Sequence, residues 1–503
     1  PAPPSPPPNR GGRSNFAGEL RDRIDDFETE ITARPPSPAG IQPHLVFRLP
    51  LSPSASTQSL TEFIENKLGV TVVSIESDKA IIAFRDDANL SEFRKAIQSY
   101  ERGPQSGINP RTGQPYAGTQ WDVLEHIEVA EMRLWQKQDR IGHRLLHLIG
   151  DEAQSIHDDH LYVVDAELWH RGTDELARSG VRELRQLVAE APLEGERFYD
   201  SFVGQLLCLA RVAVRGQKLR AMLELDIVAE VDLPPQPTFD HRLALRATER
   251  RFPTPAVPAP DAPSVCVVDS GIVSNHPLLS SNVGHAISVM ASTDSTADET
   301  GHGSLVSGIA VFGNIRACYA SGHFSSPVLL YSAKALNSEN KFDDESLIIH
   351  QMRRAIETFV APPYNCRVFN LSLGDDSNAW LEHNPRQSLW AESLDILARE
   401  FNVVLVLSAG NQSQGIARNA ADSEEVLANY PDYLFEPFNG LGEPATAAIA
   451  VTVGGIAEHD IPAVPAPRRS EDIIRTIAFA GEPTPTARIG PGLNGAIKPE
   501  RSE

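Results

Sequence analysis

Residues 262–310 read APSVCVVDSGIVSNHPLLSSNVGHAISVMASTDSTADETGHGSLVSGIA, and this stretch decides the fold. Val265 to Val268 form a short apolar, mostly β-branched run that stops at Asp269-Ser270-Gly271. Such a run, closed by a turn signal, reads as a buried parallel strand that holds a carboxylate at its C-terminal edge. Thirty-three residues after Asp269, Thr300-Gly301-His302-Gly303 precedes Leu305, Val306, Ile309 and Ala310 at helical spacing. That pattern predicts an imidazole on a glycine turn at the start of a buried helix. An Asp and a His aimed at one face of an α/β sheet suit nucleophile activation. The Asp fixes the tautomer and stabilises the imidazolium, and the His takes a proton from a serine.

Working outward from this stretch, strands and helices alternate. PVLLYSAKAL, CRVFNLSLG and VVLVLSAGN read as strands, with DDESLIIHQMRRAIETFV and SLDILAREFN as helices between them. This alternation predicts a parallel, doubly wound α/β sheet with its site at the C-terminal ends of the strands. Ser408-Ala409-Gly410-Asn411 closes one of these strands with an amide side chain.

Val-Val-Asp-Ser-Gly-Ile at 267–272 and Gly-His-Gly-Ser-Leu-Val-Ser-Gly-Ile-Ala at 301–310 resemble the first two signatures of the subtilisin-like serine peptidases, the subtilases. The order Asp before His is also theirs. The resemblance covers residues 262–499 and implies a subtilisin-like fold in which Asp269 and His302 are catalytic and Asn411 donates to the oxyanion. It further implies that Ser372, Leu373 and Gly374, in Phe369-Asn370-Leu371-Ser372-Leu373-Gly374, bind an extended peptide by β-augmentation. The family's nucleophile lies in Gly-Thr-Ser-x-Ala-x-Pro, and no such string occurs in these 503 residues. Ser413, Ser423, Ser470 and Ser502 lack that setting. The tract from Arg488 to Pro499 resembles the family's sequence shortly before the serine, so the chain is expected to stop short of the nucleophile.

Two functions remain open at this point. One is a serine endopeptidase whose serine lies beyond the visible chain. The other is a catalytically inactive, peptide-binding or regulatory homologue acting with a partner protein. In either case the ligand is a peptide or protein. The layout also resembles that of bacterial subtilases with long N-terminal extensions, which implies an accessory protein such as an ATPase.

The N-terminal half is expected to comprise a Pro-rich arm at 1–40, disordered apart from one short helical candidate at Phe16 to Ile31, a small α+β module at 41–103 with a helix over 59–69, a connector with one long helix at 104–155, and a second α+β module at 156–233. Both modules read as ferredoxin-like, the second with a strand placed near Arg197 to Phe202. The long helix is read from the stripe Trp121, Leu124, Ile127, Met132, Trp135, Ile141, Leu145 and Leu146. A Pro-rich linker at 234–261 follows, and the stretch 238–263 reads as an exposed hinge with Arg250-Arg251 as a cleavage point. Subtilase propeptides are small α/β modules in this position, so the second module is either propeptide-like or a permanent partner-binding domain.

The net charge of −22 excludes the basic footprint of a nucleic-acid binder. No apolar run approaches the ~18 residues of a membrane span, and the visible N-terminus lacks the apolar core of a secretory signal. Cys208, Cys266, Cys318 and Cys366 have no CxxC spacing and read as reduced thiols, which favours the cytoplasm. His323, His350, His383 and His459 have no metal-ligand spacing. No cofactor is expected. Asp298-Glu299 and Asp343-Asp344-Glu345 are the places where calcium, bound by many subtilases, would sit, but neither has an EF-hand pattern.

Overall fold

The computed structural model describes residues 11–33, 46–50, 70–75, 79–84, 91–102, 124–150, 155–170, 174–205, 207–238, 252–377, 379, 386–412, 423–458, 464–466, 469–474 and 476–502. The chain divides into two compact units, Pro1–Leu233 and Pro234–Glu503.

The first unit begins with α1 (Arg13–Thr32), which covers the helical candidate read at Phe16 to Ile31 within the Pro-rich arm. Phe16, Leu20, Ile24 and Phe27 recur every three to four residues and are buried. A face of that period must be covered, which is why the segment is ordered. Strands β1 (Val46–Pro50), β2 (Val70–Ile75) and β3 (Lys79–Phe84) and helix α2 (Ser91–Arg102) follow. Phe16 meets Tyr100 of α2 edge-on at 5.9 Å. The helix expected over 59–69 lies outside the described residues.

The long helix expected within 104–155 is absent from the described part, residues 124–150. Met132, Leu134 and Trp135 are buried there, but in and beside a two-residue strand, β4 (Arg133–Leu134), that pairs with β1 and is flanked by short 3-10 turns. The only α-helix in that stretch is α3 (His143–Ile149). Gly142 sets its start: a Cβ there would lie 2.4 Å from Asp232, whose carboxylate accepts from Leu145 N–H at 2.7 Å and so caps the helix.

The second module runs β5 (Leu161–Leu168), α4 (Asp174–Ala189), β6 (Arg197–Val203), β7 (Cys208–Arg215), α5 (Gly216–Leu223) and β8 (Val228–Asp232). The antiparallel order β6-β7-β5-β8 is the ferredoxin-like arrangement, and β6 is the strand that sequence placed near Arg197. Val164, Ala166, Val212 and Val214 from the central strands pack with Leu184, Leu219 and Leu223 from the helices. On the central pair, Asp165 and Arg211 stand opposite in register and are joined by two 2.7 Å bonds.

The second unit is built on a seven-stranded parallel sheet. Its elements are β9 (Ser264–Asp269), β10 (Val283–Ser288), α6 (His302–Phe312), α7 (Ile315–Ser321), β11 (Leu329–Lys334), α8 (Ile348–Val360), β12 (Val368–Leu371), α9 (Leu389–Phe401), β13 (Val404–Ser408), α10 (Ser423–Asn429), β14 (Val451–Gly454), the hairpin β15 (Val464–Ala466) and β16 (Arg469–Ile474), and β17 (Arg501–Ser502). The strand order is β10-β11-β9-β12-β13-β14-β17, every pair parallel. Helices between strands bury the sheet, as α8 does with Ile349, Met352, Ile356 and Phe359.

Two expectations are refined here. Helix α6 is not buried all round: Gly303, Ser307 and Val311 face inward, while Leu305 and Ile309 are 39% and 52% exposed. The described linker residues are mostly exposed, as expected of a hinge, but are anchored at a few points. Pro255 and Pro258 are buried, and the Phe252 ring meets Tyr319 and Phe324 edge-on at 5.3 and 5.0 Å. Arg250 and Arg251 lie outside the described residues.

Candidate active site

Because β9, β12 and β13 are parallel neighbours, Asp269, the Ser372–Gly374 segment and Asn411 all emerge at the same edge of the sheet. His302 reaches that edge as the first residue of α6. Its Nδ1 lies 2.8 Å from Asp269 Oδ1. Asp269 is 1% exposed; Oδ1 also accepts from Ser270 N–H at 2.7 Å, and Oδ2 has no hydrogen-bond partner among the described residues. A fixed, desolvated carboxylate against one ring nitrogen is the arrangement that sets an imidazole tautomer. Burial is the largest influence on the His302 pKa and would lower it. The hydrogen bond and charge of Asp269, with the charge of Asp298, together outweigh burial and hold it above the ordinary value.

The glycines flanking His302 have physical causes. Gly301 is left-handed at φ +87°, and a Cβ on Gly303 would sit 2.2 Å from Gly271 O, so strand turn and helix start touch backbone to backbone. The first helical N–H groups of α6 are capped from outside the helix. Ser270 Oγ accepts from Gly303 N–H at 2.9 Å, and Asp298 Oδ2 from Ser304 N–H at 2.8 Å. Asp298 Oδ1 takes Gly301 N–H and the Ser270 hydroxyl, both at 2.8 Å. The sequence signal for this role of Asp298 is an acid four residues before the helical His, the pattern of a first-turn acceptor.

Asp298→Ala is expected to destabilise the second unit by about 1–2 kcal/mol, the usual cost of a lost cap. The Asp298 carboxyl lies below its ordinary range; burial, the largest influence, would raise it, and the bonds from Ser304, Ser270 and Gly301 outweigh that. Its contribution is therefore present above the unfolded pKa and lost as pH falls through the folded one. Denaturant titrations at pH 7 and pH 3.5 should show the variant's deficit shrinking at the lower pH.

The other acidic cluster is also engaged with backbone: Asp343 Oδ2 accepts from Ala291 and Ser292 N–H at 2.6 and 2.9 Å. Among the described residues, no three His, Cys, Asp or Glu side chains are grouped so as to hold a metal.

Ser372 and Gly374 are half-buried and Leu373 is buried. Gly374 O accepts from Thr238 N–H at 2.9 Å, Asp375 Oδ2 from Gln236 N–H at 3.2 Å, and Thr238 Oγ1 from Asp376 N–H at 3.3 Å. An extended piece of this same chain thus lies along the expected peptide-binding segment. Asn411 is exposed at the turn after β13, preceded by Gly410 at φ +94°.

Residues 261–501, which hold the Asp269–His302 pair and every strand of the parallel sheet, match the model of the subtilase family. Those residues form a subtilase domain. Residues 14–130 match the Y4kK N-terminal domain and residues 139–233 the Y4kK central domain. The chain is 29% identical over 275 residues to the uncharacterized protein y4kK of Sinorhizobium fredii (strain NBRC 101917 / NGR234), covering 55% of this chain and 82% of that one. It is 42% identical over 150 residues to y4bN of the same organism, covering 30% and 33%.

Among solved structures, the chain is similar to the psychrophilic subtilisin-like protease Apa1 from Pseudoalteromonas sp. AS-11, at 15% identity and TM-score 0.25, covering 39% of this chain and 36% of that one. A cold-adapted subtilisin-like serine proteinase matches at 18% identity and TM-score 0.25, covering 45% and 62%. The chain spans about a third of y4bN and less than two thirds of either solved structure. No described helix is long and apolar enough to cross a membrane.

Proposed function

We propose that the subtilase domain carries the general base and oxyanion-binding parts of a serine endopeptidase. Asp269 orients and stabilises His302, and His302 accepts the proton of an attacking serine hydroxyl. Asn411 donates to the oxyanion, and the backbone of Ser372 to Gly374 aligns the peptide. The single observation that carries this reading is the 2.8 Å contact between His302 Nδ1 and a buried Asp269, in the family's order and at the C-terminal edge of the sheet. The pairing of Thr238 with Gly374 supports the substrate role, since it is a main-chain bond of the kind a peptide would make.

Three serines in the segments that frame the pair are not assigned as nucleophile, because their hydroxyls are engaged in the fold. Ser270 donates to Asp298, Ser304 Oγ accepts from Val273 N–H at 3.0 Å, and Ser372 Oγ donates to Asn370 at 3.1 Å. The proposal therefore requires a serine outside these positions. The ligand is a peptide or protein, and an accessory protein such as an ATPase is proposed as a partner on layout alone.

The test is fluorophosphonate labelling of a full-length protein containing a Gly-Thr-Ser helix, with the adduct located by mass spectrometry. Labelling at that serine supports the proposal. A correctly folded full-length protein that takes no label favours the non-catalytic, peptide-binding reading. In the labelled protein, Asn411→Ala should lower kcat by about 10²–10³ with KM little changed, the loss of one oxyanion donor.

A further inference from the structure

We infer that Asp376 and Arg488 are positioning residues for Asn411, enclosing its peptide unit in a ring of three polar contacts. The inference rests on the proposed role of Asn411 as an oxyanion donor. Asn411 N–H donates to Asp376 Oδ2 at 3.4 Å. Arg488 Nε forms an ion pair with Asp376 Oδ1 at 3.1 Å and donates to Asn411 O at 3.3 Å. The amide and the carbonyl on either side of the Asn411 Cα are therefore held by two side chains that are bonded to each other.

Around the ring, Arg488 is 2% exposed and both terminal nitrogens also donate: Nη2 to Asp376 O at 2.8 Å, and Nη1 to Gly440 O and Phe438 O at 2.7 and 3.4 Å. One guanidinium thus ties the segment after β12, the turn after β13 and the 438–440 loop together. Gly410 makes room for it, since a Cβ there would lie 2.5 Å from Asp376 Oδ1 and 2.8 Å from Arg488 Cδ. On the far side, Gln412 N–H donates to Thr486 O at 2.8 Å.

The physical reason for such a device is the exposed position of Asn411. A side chain in a turn opened by a left-handed glycine samples several orientations unless its backbone is fixed, and an oxyanion donor must be held to within a few tenths of an ångström. A buried ion pair adds little net stability once desolvation is counted, so its retention here fits orientation better than stabilisation. Burial, opposed by Arg488 and by Asn411 N–H, pushes the Asp376 carboxyl up to about 6.

The experiment is a double-mutant cycle in the full-length protein. If Asp376 acts through Asn411, Asp376→Asn should lower kcat about tenfold with KM unchanged, and the same substitution in an Asn411→Ala background should cost less than twofold. Circular dichroism and thermal melts establish that each variant is folded, and Arg488→Lys, which keeps the charge but not the fork, should fall between wild type and Asp376→Asn. Equal losses in both backgrounds would mean a general structural role and overturn the inference while leaving the peptidase reading intact. An unchanged kcat in Asp376→Asn would overturn it as well. If Asn411→Ala has no effect, or the full-length protein has no turnover, the oxyanion reading falls first and the inference with it.

Discussion

His302→Ala in the full-length protein is expected to reduce kcat by about 10⁶ and to abolish fluorophosphonate labelling. The loss is this large because base and nucleophile act as one unit: without the imidazole, a serine hydroxyl keeps its proton and attacks as a neutral alcohol. What remains is oxyanion stabilisation and binding, worth about 10³–10⁴ over water. The comparison is a side-by-side active-site titration of wild type and variant, with peptide binding measured by fluorescence anisotropy. Affinity should be preserved, since the peptide is proposed to pair with the backbone of Ser372 to Gly374. A His302→Ala protein that keeps more than a few per cent of wild-type turnover would remove His302 from the chemistry.

Asp269→Asn should lower kcat by about 10⁴ while leaving the fold intact. Asn can still touch His302 Nδ1, but it offers no negative charge to stabilise an imidazolium and does not enforce the same tautomer. The pH behaviour has a definite sign. Two of the three influences that raise the His302 pKa come from Asp269, so the substitution leaves burial opposed only by the more distant charge of Asp298. The His302 pKa should fall, and the acid limb of kcat/KM should move to lower pH.

In the native protein the raised pKa contributes stability that is fully present below the unfolded value and is lost as pH rises through the folded one. Asp269→Asn should therefore be more destabilising at pH 5.5 than at pH 8.5. Imidazole ¹⁵N shifts followed across pH would decide the matter, and an unshifted titration would show that Asp269 does not govern His302.

Much of this site was legible in the residues themselves. Val265 to Gly271 has the composition of a buried strand cut off by a turn, and Gly301-His302-Gly303 has glycines where a helix start must touch the strand turn. Strand and helix periods are local properties, so the parallel sheet could also be read. The long helix within 104–155 could not be corrected from sequence, because an apolar stripe says that a segment is covered without saying by which backbone. Met132, Leu134 and Trp135 are indeed buried, but in and beside a two-residue strand that pairs with β1, with Trp135 Nε1 donating to Ala229 O.

Helix α6 shows the same limit, since periodicity marked Leu305 and Ile309 as a face and could not say that they would be exposed. The Arg488 contacts were out of reach for a different reason. Arg488 lies 77 residues after Asn411, and nothing local distinguishes an arginine about to be buried from one on the surface.

The strand order also governs how the chain is made. In the first unit, β6 and β7 are separated by four residues and pair as soon as both have been synthesised. In the second, β9 must wait for β11, which begins 60 residues after it ends (329 − 269), and for β12 later still. At about 5–20 residues per second, β9 spends roughly 3–12 seconds without either neighbour. The strand that will hold Asp269 is thus an apolar, unpaired segment during that interval. Expression yield and chaperone dependence should follow the second unit's late strands, and temperature during synthesis should matter more to recovery than the stability of the finished protein.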